Sequence, residues 1–257
     1  MLEFRNVSKW FAKDGRKIVA LEGADLAIKE GEFVSVVGPS GCGKSTLLNL
    51  AAGLGPASAG EVLYRGKPVT TINTDVGYIT QRDNLLPWAS VYDNIVLGLR
   101  IRRVPTVRQR ELAEHFLRLT GLTEFARHFP AELSGGMRKR VALVRTLIYG
   151  PEMVLMDEPF SALDAHVKLI MHEELLRIWE ADRKTILFIT HDLVEAITLS
   201  DKIFIMSARP GRVKTAMTIE LPRPRDPFTL QTTAAFNAIF TTLWTSLKDD
   251  IRKGVDV

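Results

Sequence analysis

Residues 38–46 read GPSGCGKST and directly follow the apolar run Phe33-Val34-Ser35-Val36-Val37. Glycines, hydroxyls and one lysine leave this stretch almost no side chain to bury, so it must be shaped for something outside the core. Gly38-Pro39-Ser40-Gly41-Cys42-Gly43-Lys44-Ser45 satisfies the pattern GxxxxGK(S/T), between a strand ending at Val37 and a helix continuing through Thr46 to Ala51. Glycines let successive backbone N–H groups turn inward around an anion, and the helix N-terminus adds the positive end of its dipole. Lys44 would bring a full charge to the β- and γ-phosphates of a nucleotide, and Ser45 a hydroxyl to Mg2+. Cys42 reads as a small filler rather than a nucleophile, and its place in the loop predicts that thiol modification would probe the site. A kinase, a GTPase, a motor and a transporter ATPase are all compatible with such a loop.

Outward from the loop, short apolar runs alternate with helical patterns, the mark of an α/β fold on a largely parallel sheet. The strand candidates are Phe33 to Val37, Val76 to Thr80, Met153 to Met156, Thr185 to Thr190 and Lys202 to Met206. Between them, helices are expected over Val91 to Leu99, over Val107 to Leu119 with Thr106 and Gln109 at capping-box spacing, and over Gly136 to Tyr149, stopped by Gly150-Pro151. The expected organisation is a single domain with an α/β core over about 1–86 and 150–207, a mostly helical insertion over about 87–149 and a short extension over about 208–257. That extension opens with the basic turns ARPGR (208–212) and LPRPR (221–225). It then places Phe236, Ile239, Phe240, Leu243, Trp244, Leu247 and Ile251 at helical spacing, a stripe expected to dock on the chain's own core.

With 257 residues, 46% of them apolar, the chain can bury a large core. Its 34 basic against 30 acidic residues leave a formal charge of +4, too small an excess to predict a nucleic-acid partner. The start MLEFRNVSKW has no apolar leader core, and no uncharged apolar run approaches the roughly 18 residues that span a bilayer, so a soluble cytosolic chain is expected. A single cysteine excludes an intrachain disulfide and a cysteine-rich metal site.

The second half carries the chemistry that a phosphate loop needs. Met153-Val154-Leu155-Met156-Asp157-Glu158 is an apolar strand ending in adjacent carboxylates, which alternate across a strand and so take different tasks. Asp157 fits a Mg2+ contact through water, and Glu158 fits the group that positions or deprotonates the attacking water. His191 closes the buried run Ile186-Leu187-Phe188-Ile189-Thr190 and could reach a γ-phosphate if the strands are neighbours; Gln81, after Val76 to Thr80, offers an amide to metal or water. Leu133-Ser134-Gly135-Gly136-Met137 sets a second serine–glycine pair at a helix N-terminus, which favours an anion. A nucleotide already cradled by residues 38–45 needs no second cradle from the same side, but a second copy of the chain can supply one.

In the order GPSGCGKS, YITQRDNLLPW with Gln81, LSGGM, VLMDEP, Ser161-Ala162-Leu163-Asp164 and Thr190-His191-Asp192, nearly the whole chain resembles the nucleotide-binding subunits of ABC transporters. The resemblance implies a P-loop NTPase core with a mostly helical signature subdomain, binding ATP and Mg2+. It implies that LSGGM of one subunit, through Ser134, Gly135 and Gly136, covers the ATP held by the other in a head-to-tail dimer, expected to be a homodimer. By the same resemblance Gln81 is the coupling-loop glutamine, Glu158 the base, Asp164 a cross-interface contact and His191 the γ-phosphate sensor. Phe11 in VSKWF matches the aromatic that stacks on adenine, with Trp10 as a rival. Met137 departs from the family's usual glutamine, and NLLPW, LSGGMRKR, ARPGRV and LPRPR look like the nitrate, sulfonate and taurine importer branch. The implied partners are transmembrane permease subunits and a secreted solute-binding protein, with the chain peripheral on the cytoplasmic face of the membrane and no nucleic acid. A soluble ABC-type ATPase acting on nucleic acid or the ribosome would show a nucleic-acid module, and a small-molecule kinase would leave LSGGM and SALD idle.

Overall fold

The computed structural model describes residues 1–255, whose strands form a six-stranded and a four-stranded sheet. In the larger sheet β3 (Phe33–Val37), β8 (Thr185–Thr190), β7 (Met153–Asp157) and β6 (Val76–Ile79) lie side by side in parallel. β9 (Lys202–Met206) pairs in parallel with the other edge of β3, and β10 (Val213–Thr218) runs antiparallel along β9. Every residue of β3 and β8 is buried, which is why these strands read as unbroken apolar runs: a parallel sheet has both faces covered. Pairing of Val37 with Thr190 and of Asp157 with Ile189 brings the carboxyl ends of β3, β7 and β8 to one edge, where open α/β sheets hold their ligands.

Alternation sorts the same strands between two cores. Val34, Val36, Leu155, Leu187 and Ile189 face α1 (Lys44–Ala51) and the smaller sheet, where Leu47, Leu48, Leu2 and Phe4 complete one cluster. On the opposite face Phe33, Val154, Met156, Ile186 and Phe188 meet Leu175, Leu176 and Trp179 of α5 (Ala165–Asp182). The Trp179 ring lies edge-on to Phe33 at 5.8 Å while its Nε1 donates to Lys184 O at 2.6 Å, so this aromatic is buried without orphaning its polar atom. Its truncation to alanine would cost about 3–5 kcal/mol.

The smaller sheet is antiparallel, in the order β2 (Arg16–Ile28), β1 (Leu2–Lys13), β4 (Ala59–Tyr64), β5 (Lys67–Pro68). None of these strands is among those expected from the apolar runs; Asp14-Gly15 and Arg65-Gly66 carry the tight positive-φ turns (51° and 72°, 51° and 74°) that close two-residue hairpins.

Helices α2 (Val91–Ile101), α3 (Thr106–Leu119) and α4 (Gly135–Leu147) bury Val91, Ile95, Leu99, Leu117, Val141 and Val144 against one another in a cluster of their own. The capping box expected from Thr106 and Gln109 does not form. Pro105 is the N-cap of α3, Thr106 is already helical, and the Gln109 amide donates back to Val104 O at 2.7 Å, because a proline at the entry fixes the backbone one residue too early for the hydroxyl to cap. After β8, α6 (Leu193–Leu199) and the long α7 (Ala234–Val255) cover β9. Phe236, Leu243 and Leu247 are buried there and Ile239, Phe240 and Ile251 pack beside them, as the stripe predicts; Trp244 instead stands 48% exposed. Among the described residues no helix is long and apolar enough to cross a membrane.

Candidate functional site

The phosphate loop leaves β3 at Val37 and turns into α1 through Gly41 and Gly43, whose φ values of 74° and 100° suit residues without a Cβ. A Cβ at Gly43 would lie 2.7 Å from Ala20 O of β2, and one at Gly38 would lie 3.0 Å from Met206 Cβ of β9, so the loop is fitted to the strands beside it. Lys44 is buried, and its Nζ donates to the carbonyls of Gly38 and Pro39 at 2.9 Å each. Cys42 points into the core at 1% exposure, and burial, opposed by the nearby Lys44, pushes its thiol up. Thiol modification therefore does not probe the loop as expected: the sulfur is packed beneath it.

Strand order does the rest. With β8 between β3 and β7, the ends of all three strands meet over this loop. Asp157 Oδ1 accepts from Ser45 Oγ at 3.1 Å, and burial raises its carboxyl pKa, reinforced by Glu158 and offset in part by the Ser45 hydrogen bond and Lys44. Glu158 steps off the strand with φ 43°, a left-handed conformation rare outside glycine, held by its N–H on Ile189 O at 2.9 Å and by Ser161 Oγ on its carbonyl at 3.0 Å. From there its side chain meets His191, whose Nδ1 is 3.0 Å from Glu158 Oε2. Gln81 Nε2 donates to Ser161 Oγ at 3.4 Å.

Around the loop lies a cavity of about 340 Å3 lined by Phe11, Ile18, Ala20, Ser40, Gly41, Gly43, Lys44, Ser45, Thr46, Gln81, Asp157, Glu158 and Arg209. Of the two aromatics, Phe11 lines it; Trp10 does not, and Lys17 Nζ covers its ring at 3.8 Å. Gly38, Pro39 and Cys42 form the back of the loop, and His191 adjoins the cavity through Glu158. Ser134, Gly135, Gly136 and Asp164 are not brought to it. Ser134 caps α4 by accepting from Met137 N at 3.3 Å, and Asp164 caps α5 by accepting from Val167 N at 3.0 Å. These two helix tips are adjacent, since a Cβ at Gly136 would lie 2.8 Å from Val167 Cγ1. Larger cavities, of about 710 and 430 Å3, lie against α3, and neither is lined by residues 38–46, Asp157 or Glu158.

Two groups of residues escaped the sequence reading. The basic residues of α4, legible there only as a charge run, hold the segment after β6: Lys139 donates to Gln81 O, Arg138 to Asp83 Oδ2 at 3.1 Å, and Arg145 to the carbonyls of Asn84 and Asp83 at 2.8 and 2.7 Å. Burial lowers the pKa of Lys139 and of Arg145, a cost these contacts offset. Arg209 belongs to the turn ARPGR, which by its composition is only a basic turn.

The profile of the ABC transporter family matches residues 21–161. The chain is 42% identical over 254 residues to an uncharacterized ABC transporter ATP-binding protein of Methanocaldococcus jannaschii, covering 99% of this chain and 94% of that one. It is 45% identical over 224 residues to a taurine import ATP-binding protein of Rhizobium johnstonii, covering 87% and 86%. It is 43% identical over 228 residues to a nitrate import ATP-binding protein of Synechococcus elongatus, covering 88% and 83%. Among solved structures, the dimeric post-hydrolysis state of an ATP-binding cassette bound to ADP and Pi superposes with a TM-score of 0.76 at 32% identity, covering 86% of this chain and all of that one.

Proposed function

Because the chain belongs to the ABC transporter family as an ATP-binding subunit and an ATPase, we propose that it energises an importer of a small solute such as nitrate, taurine or another sulfonate. The observation that carries this reading is a divided site. Lys44, Ser45, Gln81, Asp157 and Glu158 line one cavity, whereas the adjacent helix tips capped by Ser134 and Asp164 stand outside it. A half-site of this kind is completed by a second subunit docked head to tail, so that two nucleotides are enclosed between two chains. That a similar cassette is dimeric with ADP and Pi bound supports the pairing of two subunits.

Within each half-site the phosphate loop and Lys44 hold the triphosphate, and Phe11 stacks on the adenine. Ser45, Gln81 and Asp157 present hydroxyl, amide and carboxylate oxygens, a hard donor set that fits Mg2+, which would neutralise charge on the β- and γ-phosphates. Glu158 takes a proton from the attacking water as the bond between the γ-phosphorus and its bridging oxygen breaks, and His191 orients that carboxylate and meets the γ-phosphate. The loss of γ-phosphate is passed to the permease through the segment after Gln81, which α4 grips through Lys139, Arg138 and Arg145. The chain sits on the cytoplasmic face of the membrane against two permease subunits, which receive solute from a binding protein outside.

The test is purification of the tagged chain from detergent-solubilised native membranes, followed by uptake assays in a deletion strain. Copurifying hydrophobic permease subunits and lost uptake of labelled nitrate, taurine or an alkanesulfonate are expected. Copurifying RNA or DNA without permease would overturn the reading.

A further inference from the structure

The motif ARPGRV, residues 208–213, has no task in the chemistry above, yet its turn is held on three sides. Gly211 N–H donates to Ala20 O at 3.1 Å and Gly211 O accepts from Glu22 N–H at 2.9 Å, which stitches the turn to β2. From α7, Asp250 accepts from Ala208 N–H at 3.1 Å and from Lys214 Nζ at 2.6 Å. Beneath, Gly211 packs on the phosphate loop so closely that a Cβ there would lie 1.8 Å from Cys42 O. A turn fixed in this way presents Arg209 to the nucleotide cavity, where its Nε donates to Gly41 O at 3.3 Å.

Charge separates the two arginines of the turn. Arg212 is paired with Glu22 at 2.9 Å and is not among the cavity residues. Among the described residues no carboxylate pairs with Arg209. The charged residues lining the cavity are Lys44, Arg209, Asp157 and Glu158; with Asp157 in the donor set for Mg2+ and Glu158 beside the attacking water, Lys44 and Arg209 are the two cationic side chains this lining offers to a polyanion.

We propose that Arg209 is a nucleotide-binding residue: its Nε is anchored on Gly41 O, and its terminal amino groups donate to phosphate oxygens of the bound nucleotide beside Lys44. The inference rests on the ATP-binding reading above. Its test is equilibrium binding of fluorescent ATP and ADP analogues to the full chain and to R209Q, R209K and R212Q, with K44A as the non-binding reference and thermal midpoints as the check on folding. R209Q is expected to bind both nucleotides about tenfold more weakly, the scale of one charge-assisted hydrogen bond, while R209K, which keeps the charge but loses the anchor on Gly41 O, falls between R209Q and the wild type, and R212Q keeps all of the affinity. Wild-type affinity in R209Q would overturn the proposal. Equal losses in R209Q and R209K would also do so, since they would assign Arg209 to propping Gly41, and so would an equal loss in R212Q, which would mark a diffuse charge effect. A wild-type chain that binds no better than K44A would instead overturn the ATP reading itself.

Discussion

His191 Nδ1 lies 3.0 Å from Glu158 Oε2, so the ends of neighbouring strands β7 and β8 share one contact beside the cavity that the loop 38–46 lines. Two groups joined in this way act as a unit, and their removal should not be additive. Glu158→Gln is expected to retain ATP binding, to prolong the ATP-bound dimer and to slow phosphate release by roughly 10²–10⁴-fold. His191→Ala should slow release too, and the double variant should be little worse than the slower single one. Phosphate-release kinetics and size-exclusion chromatography with ATP measure both; unchanged turnover in Glu158→Gln would remove Glu158 from the role of base.

Gly211→Ala tests how tightly the turn before β10 is fitted to the phosphate loop. The new methyl would lie 1.8 Å from Cys42 O and 2.9 Å from Met206 Cε, and the carbonyl can yield only by moving the loop. A loss of about 2–3 kcal/mol in urea unfolding is expected, together with weaker ATP binding. Gly15→Ala is the contrast: φ is 72° but nothing lies within 4 Å, so backbone strain alone should cost about 1 kcal/mol and leave nucleotide binding untouched.

Behind His191, Glu195 is buried and accepts from Thr190 Oγ1 at 2.6 Å, with Lys168 Nζ at 3.2 Å and His172 Nε2 at 3.7 Å, the last at electrostatic rather than hydrogen-bonding range. Burial by itself would raise this carboxyl; His172, Thr190 and the charge of Lys168 outweigh it and hold the pKa below its ordinary 4.5. A group depressed in the folded state stabilises the fold above its unfolded pKa and loses that contribution as pH falls through the lower folded value. Denaturant titrations between pH 7 and pH 3 should therefore show a shallower acid loss in Glu195→Gln than in the wild type. At pH 7 the variant should be about 1–2 kcal/mol less stable, because Lys168 keeps Asp192 but loses its more buried partner. Equal acid slopes would contradict the assignment.

Cys42 should resist alkylation in the native protein. Its sulfur is 1% exposed and burial raises its pKa, so both access and thiolate fraction are low. Maleimide labelling is expected to follow unfolding, rising steeply with urea, and to be slowed by ATP only as far as ATP stabilises the fold. Rapid labelling in buffer would show the loop opening far more than its packing allows.

Local chemistry made much of this molecule legible in one dimension. The phosphate loop is contiguous because adjacent backbone N–H groups must converge on one anion, and the buried parallel strands announce themselves because neither of their faces can be polar. Asp157 and Glu158 stand out in one dimension as adjacent carboxylates after an apolar strand, but their separate partners, Ser45 and His191, come with the left-handed step of Glu158 off that strand and not from strand alternation. The antiparallel sheet of β1, β2, β4 and β5 announces itself in one dimension only at Asp14-Gly15, a hairpin dipeptide; Arg65-Gly66 takes the same positive φ, but an arginine does not advertise it. Other features depend on which distant segments meet, and no spacing encodes them. Only the strand order set His191 against Glu158, only the packing beneath the loop buried Cys42, and only Pro105 in its folded place displaced the Thr106 cap. Arg209 is the clearest case: its turn is an ordinary basic one until Ala20, Cys42 and Asp250, from three separate stretches of chain, fix it at the cavity lined by Lys44, Asp157 and Glu158.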